Sequence, residues 1–148
     1  MKAWLAEPEK RSETDKQLKL CEVLSEQFDP EMSFVGFYDK KPEHSKKIYI
    51  GEYVTNADIF PCGEIEWGKG QCGQCAAEEK TLVTHDTKQL ENYIACDDDT
   101  RSEIVVPCYL DGKFRTVLDI DSPDVGNFTS VDKKALEDLV ELIYPTSK

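Results

Sequence analysis

Histidine and methionine are scarce in this chain, two of each among 148 residues. His44 and His85 both sit in charged stretches and offer little to a histidine-built metal centre. Basic residues are also few, 18 against 30 acidic, for a formal net charge of −12. A nucleic-acid face needs concentrated Lys and Arg. Here the basic residues are diluted along the sequence, so neither nucleic acid nor an anionic membrane surface is expected as a partner. No apolar run approaches the roughly 20 residues that span a bilayer. Met1-Lys2-Ala3-Trp4 leads into charge and not into a signal-peptide core, and there is no internal repeat, linker or low-complexity stretch. These absences predict one cytoplasmic domain over 1–148, with 1–11 loosely ordered. At 39% hydrophobic and 32% charged residues, the composition suffices for an ordinary single core.

What is present reads as alternating elements. Residues 12–28 carry Leu18, Cys21, Leu24 and Phe28 at helical spacing. Aromatic and β-branched stretches at 33–38 and 48–54 read as a hairpin. Glycine-rich Gly68 to Gly73 opens a short helix at 74–80, followed by a short strand at 81–83 and a long polar connection. Two long strands, 103–110 and 113–120, are joined by Asp111-Gly112, a strong hairpin turn signal. A helix capped by Thr129 or Ser130 closes the chain, with Leu136, Leu139, Val140 and Ile143 as its apolar stripe. The order α-β-β-α-β-β-β-α predicts an α+β domain, a mainly antiparallel central sheet flanked by helices.

Six cysteines without a secretion signal do not read as a disulfide framework. Cys21 lies on a helical apolar stripe and reads as a buried thiol; Cys108 alternates with Val106 and Leu110 on a strand and reads as core or dimer surface. Cys72 and Cys75 form a C-x-x-C, but structural zinc commonly needs two such pairs, so no metal is expected. Cys62, Cys72 and Cys96 lie beside glycine, proline or aspartate in loops or at a loop–helix edge, where reactive groups are often held. Cys72 stands at a helix amino end, where amides and the dipole lower a thiol pKa. Spacing alone leaves open which of the three form a redox pair.

Four ordered motifs then carry a resemblance: Gly68-Lys69-Gly70-Gln71-Cys72-Gly73, Ile94-Ala95-Cys96-Asp97, Ser102-Glu103-Ile104-Val105-Val106-Pro107, and Val117-Leu118-Asp119-Ile120-Asp121-Ser122-Pro123. With their spacing, and with Phe34-Val35-Gly36-Phe37-Tyr38, they resemble the free methionine-(R)-sulfoxide reductases, GAF-domain enzymes that reduce the free amino acid. The resemblance implies that Cys96 is the nucleophile and that Cys62 and Cys72 are resolving thiols. It implies that Glu103, Asp119 and Asp121 hold the substrate ammonium and supply protons, while Phe34 and Tyr38 wall the methyl group. It also implies no bound cofactor, a thioredoxin-like dithiol protein as electron source, an antioxidant repair role, a homodimer and R preference. Phe34 stands where the family usually has Trp, Tyr93 where it has His, and Thr116 where it has Gly; Cys75 is an extra thiol.

The residues make chemical sense of this. Asp119 and Asp121 are two apart and point to one face of their strand, with Glu103 on the neighbouring strand. Like charges about 6 Å apart cost roughly 2–3 kcal/mol at an effective dielectric near 20. The pocket should therefore raise the Cys96 pKa until substrate ammonium neutralises it, and should keep one carboxyl, Glu103 first, protonated as a donor. A methionine sulfoxide within a peptide lacks that ammonium and should bind poorly. The amides of Gly70 to Gly73 are expected to take the substrate carboxylate. The competing expectations are a non-catalytic GAF module sensing a small molecule and a cysteine-based metal protein.

Overall fold

A computed structural model of the chain describes residues 12–28, 32–41, 44–55, 61–90 and 99–145. The expected N-terminal segment 1–11 and Cys96 lie outside the described residues. The helices are α1 (Glu13–Phe28), α2 (Gly70–Glu78) and α3 (Ser130–Ile143); the strands are β1 (Phe34–Lys41), β2 (His44–Thr55), β3 (Glu64–Glu66), β4 (Leu82–Thr84), β5 (Ser102–Leu110) and β6 (Lys113–Ser122). The expected order is present with one additional strand, β3, too short to show an alternation in the sequence. The six strands form one sheet in the order β3-β2-β1-β6-β5-β4, with every pairing antiparallel.

Local chemistry explains the boundaries. Ser12 and Asp15 cap α1 reciprocally: Ser12 Oγ accepts from the Asp15 amide at 3.1 Å, and Asp15 Oδ2 from the Ser12 amide at 3.3 Å. Thr129 and Asp132 do the same for α3. Between β5 and β6 the chain turns through Asp111 and Gly112, both with positive φ (53° and 77°), the conformation an Asp-Gly turn supplies at low cost. Instead of at 74, α2 begins at Gly70, so Cys72 falls within its first turn and not ahead of it.

Two cores lie on opposite faces of the sheet. One packs α1 and α3 on Val35, Phe37, Ile104, Val106, Cys108, Leu118 and Ile120. The other packs α2, through Cys72, Cys75 and Ala76, on Phe34, Tyr38, Val105 and Val117. Leu18 does not join the α1 stripe as expected but is 37% exposed. Gln17 is buried in its stead, because its amide donates to Asp39 Oδ1 (2.8 Å) and Tyr144 Oη (3.1 Å) and accepts from the Glu52 amide (3.2 Å). A fully bonded amide can occupy a core position that periodicity assigns to an aliphatic group.

At Gly36 on β1 a Cβ would lie 2.6 Å from the Phe34 ring and 2.6 Å from Tyr53 Cβ. Gly36→Ala is therefore expected to cost about 1–3 kcal/mol by overpacking, read as a lower urea midpoint at unchanged slope. An unaffected midpoint would show that the neighbouring rings yield freely.

Candidate active site

Strand register assembles three carboxyl groups on the α2 face. β5 pairs with β6 so that Glu103 opposes Asp121 and Val105 opposes Asp119; across the other edge of β6, β1 places Gly36 opposite Asp119 and Phe34 opposite Asp121. Glu103 and Asp119 are 6% and 4% exposed. Burial, the largest cause, pushes both carboxyls well above their ordinary range; the Asp119 charge adds to the effect at Glu103, and the Asp121 charge to that at Asp119. The three carboxyl groups lie close enough for the charge of one to act on another, so they titrate as a unit. Asp119 Oδ1 is buried with no hydrogen-bond partner, a costly state for an acceptor unless a donor from outside completes it.

Cys72 reaches the cluster from the first turn of α2. Its Sγ and one oxygen each from Glu103 and Asp119 lie within 4.8 Å of one another. The sequence pointed to a depressed pKa at this helix end. The structure reverses that: burial, then the charges of Asp119, Glu103 and Asp121, push the Cys72 thiol well up. Cys75 is fully buried one turn further on, its thiol directed at the Val105 carbonyl at 3.9 Å and also pushed up by burial. Cys62, half-buried just ahead of β3, is disulfide-bonded; its partner is none of Cys21, Cys72, Cys75 and Cys108, which are free thiols.

An aromatic wall flanks the carboxyls. Phe34 and Tyr38 lie 6.4 Å apart, and Tyr53 of β2 stacks on Phe34 at 5.8 Å and 21°. Sequence reasoning missed Tyr53. A register shift between Gly36 and Tyr38 changes which β2 residues face the site, and a bulge of this kind leaves no mark in the alternation. Thr116, one of the departures from the family pattern, is buried and donates to the Tyr38 carbonyl at 2.8 Å. Gly73 lets α2 approach β3, since a Cβ there would lie 2.3 Å from the Glu66 carbonyl oxygen. Lys69 occupies the N-cap of α2 without a side-chain capping bond. Lys40 of β1 and Lys46 of β2 converge at 5.9 and 5.7 Å on the Trp67 ring.

Residues 10–144 match the family described as GAF domain. The chain belongs to that family. It is 37% identical over 114 residues to a free methionine-R-sulfoxide reductase of Saccharomyces cerevisiae, an alignment covering 76% of this chain. The chain spans only 62% of that relative's length. A solved structure of free methionine-R-sulfoxide reductase from Neisseria meningitidis in complex with its substrate superposes with a TM-score of 0.82 at 31% identity, covering 89% of this chain and 75% of that one. A type II free methionine-R-sulfoxide reductase from Thermoplasma acidophilum superposes at 0.80 with 28% identity, covering 90% and 91%. The expected GAF fold is thus observed, with helices on both faces of an antiparallel sheet.

The raised carboxyls give a signed pH dependence. A buried acid whose folded pKa lies above its unfolded value (4.5 for Glu103, 3.8 for Asp119) keeps its proton in the fold after the unfolded chain has lost it. That stabilisation is complete below the unfolded pKa and disappears as pH rises through the folded one. The ligand-free protein should therefore melt at progressively lower temperature as pH rises above about 5, and Asp119→Asn should flatten the slope and add about 1–3 kcal/mol at neutral pH. Calorimetric midpoints across pH check this; a midpoint that rises over that window would contradict it.

Proposed function

We propose that this GAF domain reduces free methionine-R-sulfoxide to methionine. The carrying observation is the buried carboxyl cluster with the unpartnered Asp119 Oδ1 beside the Phe34–Tyr38–Tyr53 wall. Such a cage fits an ammonium group, with three donors for acceptor-only oxygens, next to a small apolar methyl. The similarity to enzymes named for this activity supports the same reading. A methionine within a peptide has a neutral amide at that place and cannot balance the cluster, which makes the free amino acid the substrate. The amides of Gly70 to Gly73, at an α2 start with no side-chain cap, suit the substrate carboxylate.

In the proposed cycle the Cys96 thiolate attacks the sulfoxide sulfur. Glu103, kept protonated by burial, protonates the departing oxygen as the new S–O bond forms at Cys96. Methionine leaves, two electrons richer, and Cys96 is a sulfenic acid. A second thiol attacks that sulfur, water departs, and a disulfide remains for a thioredoxin-like dithiol protein to reduce. Cys62 is the better resolving thiol: it is disulfide-bonded, whereas the other four described cysteines are free. Cys72, a protonated thiol beside Asp119, is a poor competitor and instead completes the cage. A sensor module would have no need of a disulfide beside an ammonium site.

The test is methionine formation from the free R-sulfoxide with a dithiol reductant. Cys96→Ser should abolish turnover, since no sulfur remains to be oxidised. Cys62→Ser should retain one fast equivalent per chain but lose sustained turnover at least about tenfold. Asp119→Asn should raise KM by about 10–100-fold, the loss of about 1.4–2.8 kcal/mol of ammonium binding. Undiminished turnover in Cys96→Ser would refute the proposal.

A further inference from the structure

We propose that the cage of Cys72, Glu103 and Asp119 is also a binding site for a thiophilic divalent cation, zinc or cadmium, whose occupancy excludes the substrate. The exclusion rests on the ammonium reading given above; the cation site itself rests on geometry. Three donors of the right kinds, Cys72 Sγ and one oxygen each from Glu103 and Asp119, lie within 4.8 Å of one another. They come from three different elements, α2, β5 and β6, so they converge on a point in space and are not neighbours along a single strand. All three are more than nine-tenths buried, at 5%, 6% and 4% exposure. The second and independent observation is Asp119 Oδ1, buried and without a hydrogen-bond partner, so an acceptor for a cation is already in place.

Zinc binds thiolate at about 2.3 Å and carboxylate oxygen at about 2.0–2.2 Å, which sets tetrahedral donor separations of roughly 3.3–3.7 Å. Closing a triangle no wider than 4.8 Å to that size requires shifts of about 1 Å, within the reach of small side-chain rotations. Three protein ligands leave a fourth position for water. Asp121 stands opposite Glu103 in the β5–β6 register, where an outer partner of a metal site would stand. A sulfur donor favours zinc and cadmium over magnesium and calcium, which take oxygen. Binding would displace the Cys72 thiol proton and any proton held by the carboxyls, with no change of oxidation state.

The experiment uses the whole chain with Cys62 in its disulfide, so that Cys62 offers no competing thiol, after removal of metals with a chelator. Cadmium is titrated while the ultraviolet thiolate-to-cadmium charge-transfer band is followed, and zinc is titrated by calorimetry. One equivalent of each is expected, with Cys72→Ser abolishing the band and weakening zinc at least about a hundredfold, more than the loss of an outer partner. Glu103→Gln and Asp119→Asn should each weaken zinc about tenfold or more, and Cys108→Ala, on the opposite face of the sheet, should leave it unchanged; circular dichroism confirms that each variant is folded. Methionine should weaken zinc binding. Absence of the band, or zinc affinity unmoved by Cys72→Ser, overturns the cation site. Zinc binding unaffected by methionine overturns the exclusion. Cys72-dependent zinc binding in a chain that never reduces the sulfoxide would leave the site standing and refute the reductase reading, whereas turnover without such binding would do the reverse.

Discussion

The constraint on which the rest of this structure depends is the removal of clustered carboxyl groups from water on the α2 face of the sheet. Each carboxylate moved from solvent into a protein interior costs several kcal/mol unless compensated, and Glu103 and Asp119 are almost completely buried. The fold meets part of that cost by retaining protons. The remainder is left open at Asp119 Oδ1. Strand register fixes the arrangement, because a slip of one residue in β6 would turn Asp119 and Asp121 into the α1–α3 core and bring Leu118 and Ile120 to the site. The Asp111-Gly112 turn and the apolar residues that alternate with the acids on both strands hold the register, so the same residues that build the opposite core also aim the carboxyls.

The cluster also divides the work among the sulfurs. A helix amino end favours a nearby thiolate by about 0.3–1 kcal/mol, up to about 2 in a partly buried geometry. Burial and several like charges within a few ångströms oppose it by more, so the balance at Cys72 favours the protonated thiol. Position on a helix is therefore a weak guide to thiol reactivity when carboxyls from other elements face the same sulfur. Cys62 precedes β3, packs against the same α2-side core and is the described cysteine engaged in a disulfide. Cys21 and Cys108 lie in the core between the sheet and the two terminal helices, as their spacing indicated, and Cys75 packs against Val105 with no route to solvent.

Much of this was legible in the sequence, because the signals were local. Helical spacing, the Asp-Gly turn and the alternation of acids with aliphatic residues on 117–121 each follow from a few adjacent side chains, and they fixed the helices, the long hairpin and the shared face of Asp119 and Asp121. What escaped depends on contacts between distant segments. Gln17 takes a core place at the expense of Leu18 because Asp39, Tyr144 and Glu52 bond it. Tyr53 joins the aromatic wall through a bulge. The approach of the Glu103 and Asp119 carboxyls to within 4.8 Å of Cys72 Sγ likewise joins three separate elements.

An ammonium and a divalent cation are attracted to such a cage for the same reason, yet they make different demands on it. The ammonium brings its own hydrogen atoms and bonds to the oxygens, leaving the Cys72 proton where it is. A metal ion brings none and must displace that proton from a thiol that burial and the neighbouring acids hold in its protonated form. Burial of Cys72 therefore weighs on the two differently: it costs the ammonium little and opposes the metal directly. An alanine at position 72 would remove the soft ligand but would also empty volume in a close-packed layer beside Val105 and Val117. A serine would fill that space. A thiol differs from a hydroxyl at this place in being a softer ligand and a more apolar surface.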